Sequence, residues 1–217
     1  LIPEQRSSII NQRAIIRYYR DLGREPRLLG DEKEQEQKQQ ELMRYDVALL
    51  LDVSTGCGGK IWPAAQVLGQ YLAGKKEVLA EKWKGKTVVE LGSGTGLVGF
   101  LLAKMGVGVE TWVTDQDAML ALMERNLQLN SPGMLDPCHV AELNWGEFPL
   151  PQNVPSKPDV LLLADCVYLE VAFQPLVDTM IALSTAQTEI LFCYMKRRKA
   201  DKRFFTMLKK HFSFEDV

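Results

Sequence analysis

Downstream of Trp83, short apolar runs alternate with segments whose apolar residues recur every three to four positions. Thr87–Leu91, Glu110–Thr114, His139–Leu143, Asp159–Ala164 and Glu189–Tyr194 read as strands, and Leu97–Met105, Ala118–Leu129 and Phe173–Ser184 as the helices between them. Parallel neighbours need crossover connections, so this repetition predicts a doubly wound α/β domain, a mostly parallel sheet with helices on both faces. Upstream, Ala48–Val53 reads as a strand broken by Gly56, Gly58 and Gly59. Ala65, Leu68 and Leu72 then predict a helix over Ile61–Leu72, with Pro63 at its start, where proline costs least. Ile9–Arg20 suits a short amphipathic element ended by Gly23 and Pro26, and Asp31–Glu41, almost wholly Glu, Gln and Lys, reads as a solvated helix or linker. Phe212–Val217 reads like the start of a further strand. Residues 1–46 are thus expected to be an N-terminal extension and 47–217 one α/β domain.

Composition narrows the function classes. The 217 residues, 46% hydrophobic and 25% charged, suffice for one domain with a buried core. With 26 Lys+Arg against 28 Asp+Glu the net charge is −2, which excludes a binder whose affinity comes from overall phosphate neutralisation. Cys57, Cys138, Cys166 and Cys193 show no CxxC spacing and only His139 and His211 could join them, so neither a metal site nor a disulfide framework is expected, and a reducing compartment fits. No apolar run approaches the ~18 residues that span a bilayer, and no membrane partner is expected.

The run VVELGSGTGLVG, residues 88–99, leads a strand through Gly92, Gly94 and Gly96 into a helix. Glycines there let the backbone approach a ligand closely, at a helix N-terminus whose amides favour an anionic group. Asp115 closes the next strand, where a carboxylate can accept both hydroxyls of a ribose, so the ligand is expected to contain adenosine. Two cofactor classes satisfy this pattern, since Gly94, Gly96 and Gly99 also match the dinucleotide fingerprint GxGxxG. The compressed E-L-G-S-G-T-G, with Glu90 just before the turn, resembles motif I of the class I, seven-β-strand methyltransferases. That resemblance implies a Rossmann-like sheet of seven strands and S-adenosylmethionine as cofactor, leaving as S-adenosylhomocysteine. It also implies a cofactor site formed by Glu90, Gly92, Ser93, Gly94 and Gly96, with Asp115 on the ribose.

A second constellation, Ala164-Asp165-Cys166-Val167-Tyr168, ends the fourth strand of the alternation. In open α/β sheets ligands sit beyond the carboxyl ends of the strands, so this carboxylate and phenol are expected to face the reactive end of the cofactor. The D-x-x-Y spacing resembles a protein-methyltransferase group of the same class, which includes lysine methyltransferases acting on chaperones, an AAA ATPase and translation elongation factors. Amide and nucleobase N-methyltransferases usually carry (N/D)PP(Y/F) here, and no proline lies between Asp165 and Tyr168. Trp62 in W-x-A and Trp145 in L-x-W-G match two further segments of the group, from Val53 to Lys210 in all. The stretches STGCGGKIWPA and CYMKRRKADKRFF resemble those of fungal elongation-factor lysine methyltransferases. The resemblance implies that Asp165 and Tyr168 align the ε-amine of a substrate lysine and that Trp62, Trp145 and Ala164 border the cofactor. It further implies a protein substrate, translation elongation factor 1-alpha, met by a cytoplasmic monomer. An RNA or small-molecule methyltransferase, an inactive methyltransferase-fold scaffold and a nucleotide-dependent oxidoreductase are the alternatives.

Lys196–Lys210 holds eight basic residues against Asp201. A solvated helix face anchored by Phe204, Phe205 and Leu208 is the first reading of it, with docking of an acidic protein surface second and of nucleic acid third.

Overall fold

A computed structural model of the chain describes residues 9–20 and 44–217, apart from the side chain of Thr55. The acidic and glutamine-rich stretch Asp31–Glu41 lies outside the described residues. Two strands, β1 (Gln12–Tyr19) and β2 (Arg44–Leu51), form a separate antiparallel pair. The main sheet follows: β3 (Thr87–Leu91), β4 (Glu110–Asp115), β5 (Cys138–Glu142), β6 (Val160–Ala164) and β7 (Glu189–Cys193), all parallel, in the order β5-β4-β3-β6-β7. The doubly wound α/β expectation holds. The sheet counts five strands among the described residues where the resemblance implies seven, and Phe212–Val217 carries no regular structure.

The helices are α1 (Pro63–Gly74), α2 (Lys76–Lys82), α3 (Leu97–Met105), α4 (Asp117–Asn130), α5 (Phe173–Leu183) and α6 (Asp201–Leu208). Side chains alternate across a strand, and the two faces of β3 and β6 accordingly feed two cores. Val88, Val160 and Leu162 pack with α1, α3 and α4, while Val89, Leu91, Leu161 and Leu163 pack with α5 and α6. Both central strands are covered on both faces, which is why they read as apolar runs with Thr87 and Glu90 as the exceptions. Strand order reverses between β3 and β6, so a crevice opens there at the carboxyl ends, and both sequence motifs leave the sheet at that point.

The β1/β2 pair is fastened to this frame by two asparagines of α4. Asn126 accepts from the Leu50 amide (2.6 Å) and donates to the Leu50 carbonyl (3.1 Å), and Asn130 does the same for Ala48 (3.0 and 2.7 Å). The free edge of β2 is thereby paired by side chains that imitate a neighbouring strand. Its other neighbour, β1, presses the Tyr18 ring against Gly69 of α1, where a Cβ would come within 2.7 Å of the ring. Anchored this way, β2 delivers the loop Asp52–Trp62 to the crevice. That loop is closed by the Asp52 amide donating to the Gly59 carbonyl (2.8 Å) and the Trp62 indole N–H to the Cys57 carbonyl (2.9 Å).

Candidate active site

One cavity at the strand reversal is lined by Trp62, Glu90, Gly92, Ser93, Gly94, Asp115, Trp145, Ala164, Asp165 and Tyr168 together. Gly96 is the sequence-predicted residue that does not line it. It is the residue preceding α3, with a left-handed backbone (φ 80°), and a Cβ there would strike the Phe100 ring. Its conformation turns the chain into the helix. Gly92 stands against the indole of Trp145: an added Cβ would lie 2.8 Å from Cζ2, so this glycine and tryptophan form one wall. A larger depression, about 1090 Å³, runs along β7, α6 and residues 211–217 and contains none of the predicted site residues.

The β3–β4 side is wired to backbone amides. Glu90, 2% exposed, accepts from the Gly99 amide (2.9 Å), one of the donors at the start of α3 that have no partner within the helix. Ser93 and Thr114 lock the two strand ends together: Ser93 Oγ accepts from the Thr114 amide (3.0 Å), and the Thr114 hydroxyl donates to the Glu90 carbonyl (2.7 Å). Asp115 accepts from the Gly94 and Gln116 amides, both at 2.8 Å. Burial pushes the Glu90 carboxyl up to about 8 and raises Asp115 as well, against the opposing effect of these amide bonds. Among the described residues neither carboxyl has an ion-pair partner, so the cavity offers one buried and one half-buried acid to a ligand that brings positive charge.

The β6–β7 side is wired by charge. Asp165 is 6% exposed and takes a left-handed backbone (φ 64°), uncommon for any residue other than glycine. Its amide donates to the Cys193 carbonyl (2.8 Å), and both carboxylate oxygens accept from the guanidinium of Arg197 (2.6 and 2.5 Å). The Met195 amide adds a third donor at 3.3 Å. Tyr168 follows, with burial and the nearby Cys57 thiol raising its hydroxyl above the ordinary phenol range. The grip on Asp165 is bidentate, because an arginine fork matches both oxygens of a carboxylate.

Arg197 is the functional residue that the sequence reading missed. A signal existed: it lies just past the carboxyl end of β7, the same edge that delivers Asp165. The basic segment is also not wholly a solvated face. Arg197 and Arg198 turn inward, Arg198 donating to the Tyr168 carbonyl, and the buried Asp201 accepts from both of their amides (2.9 and 3.0 Å). Lys196, Lys199, Lys202, Lys209 and Lys210 remain exposed. Phe204 and Leu208 are buried and Phe205 half-buried, as their spacing predicts.

A family profile described as lysine methyltransferase matches residues 42–211. The chain is 40% identical over 184 residues to protein-lysine N-methyltransferase EFM6 of Saccharomyces cerevisiae, covering 75% of this chain and 74% of that protein. It is 38% identical over 167 residues to protein N-lysine methyltransferase METTL21A of Danio rerio, covering 75% and 72%. To EEF1A lysine methyltransferase 3 of Xenopus tropicalis the identity is 34% over 164 residues, covering 75% and 69%.

Proposed function

The chain belongs to the lysine methyltransferase family and is an S-adenosylmethionine-dependent protein-lysine methyltransferase, and on that premise we propose that its substrate is translation elongation factor 1-alpha. The observation that carries the reading is the meeting of Asp165 and Tyr168 with Glu90 and Asp115 in one cavity. The similarity to a protein named for elongation factor 1-alpha, and the two stretches that resemble fungal elongation-factor methyltransferases, support the substrate. A cytoplasmic monomer is part of the same proposal. No helix among the described residues is long and apolar enough to cross a membrane.

The residues suit the cofactor. A buried and a half-buried carboxyl, without an ion-pair partner among the described residues, suit a ligand that carries a sulfonium and an ammonium, and the Gly92–Trp145 wall leaves a flat indole edge for a purine. Asp115, fixed by two amides, keeps acceptor capacity for the ribose hydroxyls. Glu90 and the Gly92–Gly94 turn, which line the same cavity, would hold the cofactor's charged end, and Trp62 and Ala164 would border it. S-adenosylmethionine, when bound, supplies an electrophilic methyl on its sulfonium. The task left to the protein is to hold the nucleophilic nitrogen in line with that methyl in a dry site. Asp165 and Tyr168 do this by hydrogen bonding to the ε-amine. A lysine with an ordinary pKa of about 10.4 must also lose a proton, which at pH 7 costs about 4.6 kcal/mol. The proton leaves to water as the side chain enters, and burial around Tyr168 and Cys166 disfavours its return.

The test is incubation with labelled S-adenosylmethionine, recombinant elongation factor 1-alpha and, separately, a lysate with and without nuclease, followed by gel separation and mass spectrometry. Methyl-lysine on elongation factor 1-alpha is the expected result. A labelled band of another protein would overturn the substrate but keep the reaction, and label lost with nuclease would move the acceptor to RNA.

A further inference from the structure

The geometry points to Arg197 as a positioning residue that sets the charge of the acceptor subsite: by holding both oxygens of Asp165, it lets that carboxylate accept an N–H from a neutral amine without stabilising an ammonium. This rests on the reading of Asp165 as the residue that meets the substrate amine.

An unpaired buried carboxylate beside the acceptor would work against the reaction, because it favours the charged form of the amine it receives. The side chain of Asp165 is 3% exposed, so its charge is poorly screened by water. Arg197 answers that charge at hydrogen-bond distance and is itself held: the Arg197 amide donates to Asp201, and the guanidinium lies 5.1 Å from the centre of the Trp62 ring. The paired carboxylate in turn raises the guanidinium above its ordinary value. Pairing does not exhaust Asp165. A carboxylate has about four acceptor positions; among the described residues Oδ1 receives Arg197 and the Met195 amide, whereas Oδ2 receives Arg197 alone. One position on Oδ2 is therefore left for an amine N–H.

The other titratable groups around this point do not supply the compensation. Cys193 on β7 and Cys166 and Tyr168 on the loop after β6 are all raised by burial and stay neutral. Glu90 and Asp115 on the far wall are acids. Asp201 faces Arg197 from the start of α6, and Cys57 and Lys60 come from the loop before α1, where Lys60 Nζ sits 3.9 Å from the centre of the Trp62 ring. Among the described residues Arg197 is the cation that forms an ion pair with Asp165.

The experiment compares two cofactor analogues by calorimetry: S-adenosylhomocysteine, neutral at the reacting end, and sinefungin, which carries an amine where the methyl sulfonium would be. In Arg197→Gln the preference for sinefungin over S-adenosylhomocysteine should rise about tenfold, as Asp165 becomes free to pair with the ammonium, and should persist to higher pH than in the wild type. Arg197→Lys should return the ratio to within about threefold of the wild type, and Asp165→Asn placed on Arg197→Gln should erase the gain. S-adenosylhomocysteine binding reports folding in each variant, and Arg197→Met, which also removes the charge and should raise the ratio in the same way, keeps the comparison available if the glutamine variant does not fold. A ratio unchanged by Arg197→Gln, or a gain that survives Asp165→Asn, would overturn the role of Arg197. A wild-type protein that binds neither analogue would instead overturn the cofactor reading, and this inference with it.

Discussion

At the β3–β4 end of the cavity, Glu90, Ser93 and Asp115 are fixed by backbone amides, from Gly99, Thr114, Gly94 and Gln116. At the β6–β7 end, Asp165 is fixed chiefly by a guanidinium 32 positions away in the chain, and Tyr168 is held through its carbonyl by a second arginine. Amide donors come with the backbone and cannot be tuned by substitution, so the first end is a fixed cradle. A charge pair can be altered by a single side chain or by a neighbouring charge, so the second end is where reactivity and acceptor choice can be adjusted. The two ends should therefore fail differently, the cradle by losing cofactor and the paired end by losing turnover.

The largest effect is expected from breaking the cradle. Gly92→Val sets a branched side chain at a positive φ (64°) and against Trp145, where even a Cβ has 2.8 Å. Strain and clash of this kind cost about 3 kcal/mol, roughly a hundredfold in binding. Calorimetry with S-adenosylhomocysteine should show that loss, with the fold intact by circular dichroism; retained affinity would mean that the glycine turn does not meet the cofactor.

At the other end, Asp165→Asn keeps the shape and removes the charge. Turnover should fall by about a hundredfold while affinity for S-adenosylhomocysteine changes by less than about threefold, because the loss is of alignment and not of cofactor contact. Tyr168→Phe, which deletes one hydroxyl, should cost about tenfold, in proportion to one hydrogen bond. Single-turnover rates with elongation factor 1-alpha separate these from binding, and an equal loss of cofactor affinity in either variant would erase the distinction between the two ends.

A pH titration separates the ends further. The Glu90 carboxyl, raised to about 8 by burial, stays protonated in the folded chain where the unfolded chain has already ionised. The folded state then binds the extra proton, so this group's contribution to stability falls as pH rises from the ordinary carboxyl range to about 8, and levels off above that. Thermal melts of the cofactor-free protein should show the decline, and Glu90→Gln, which still accepts from the Gly99 amide, should remove it. The Arg197 guanidinium at the other end, raised above its ordinary value by Asp165, does not titrate in that window.

Legibility in the sequence follows the same division. Leu97–Met105 was readable to the residue and β3 likewise, since periodicity, the glycine turn and the local Glu90–Gly99 contact all lie within a dozen positions. Asp115 was readable because a strand end is a fixed address in this kind of sheet. Arg197 was not, since its role depends on a partner on a different strand and nothing in a run of eight basic residues marks which one turns inward. Nor were Asn126 and Asn130, two polar residues on an otherwise amphipathic helix whose partners belong to β2, about 80 positions earlier. β2 was legible as a strand, though at residues 48–53 and not at its observed start, and β1 only as an amphipathic element, because their pairing is set across a long separation in sequence.

The smallest effect is expected on the outward face of the same basic segment. Lys199, Lys202 and Arg203 are exposed, and the one ion pair among them, Arg203 with Glu170 at 3.1 Å, has both side chains open to water, where such pairs contribute about 0.5 kcal/mol or less. Replacing all three by Gln should leave the melting temperature and turnover nearly unchanged if this face is merely solvated. A rise in KM for the proposed substrate, elongation factor 1-alpha, with kcat held and with a weaker dependence on salt than the wild type shows, would instead make these cations a docking surface for an acidic patch of that protein. The triple substitution thus decides how far the charge wiring at the β6–β7 end extends: if KM does not move, it stops at the two arginines that reach Asp165 and Tyr168.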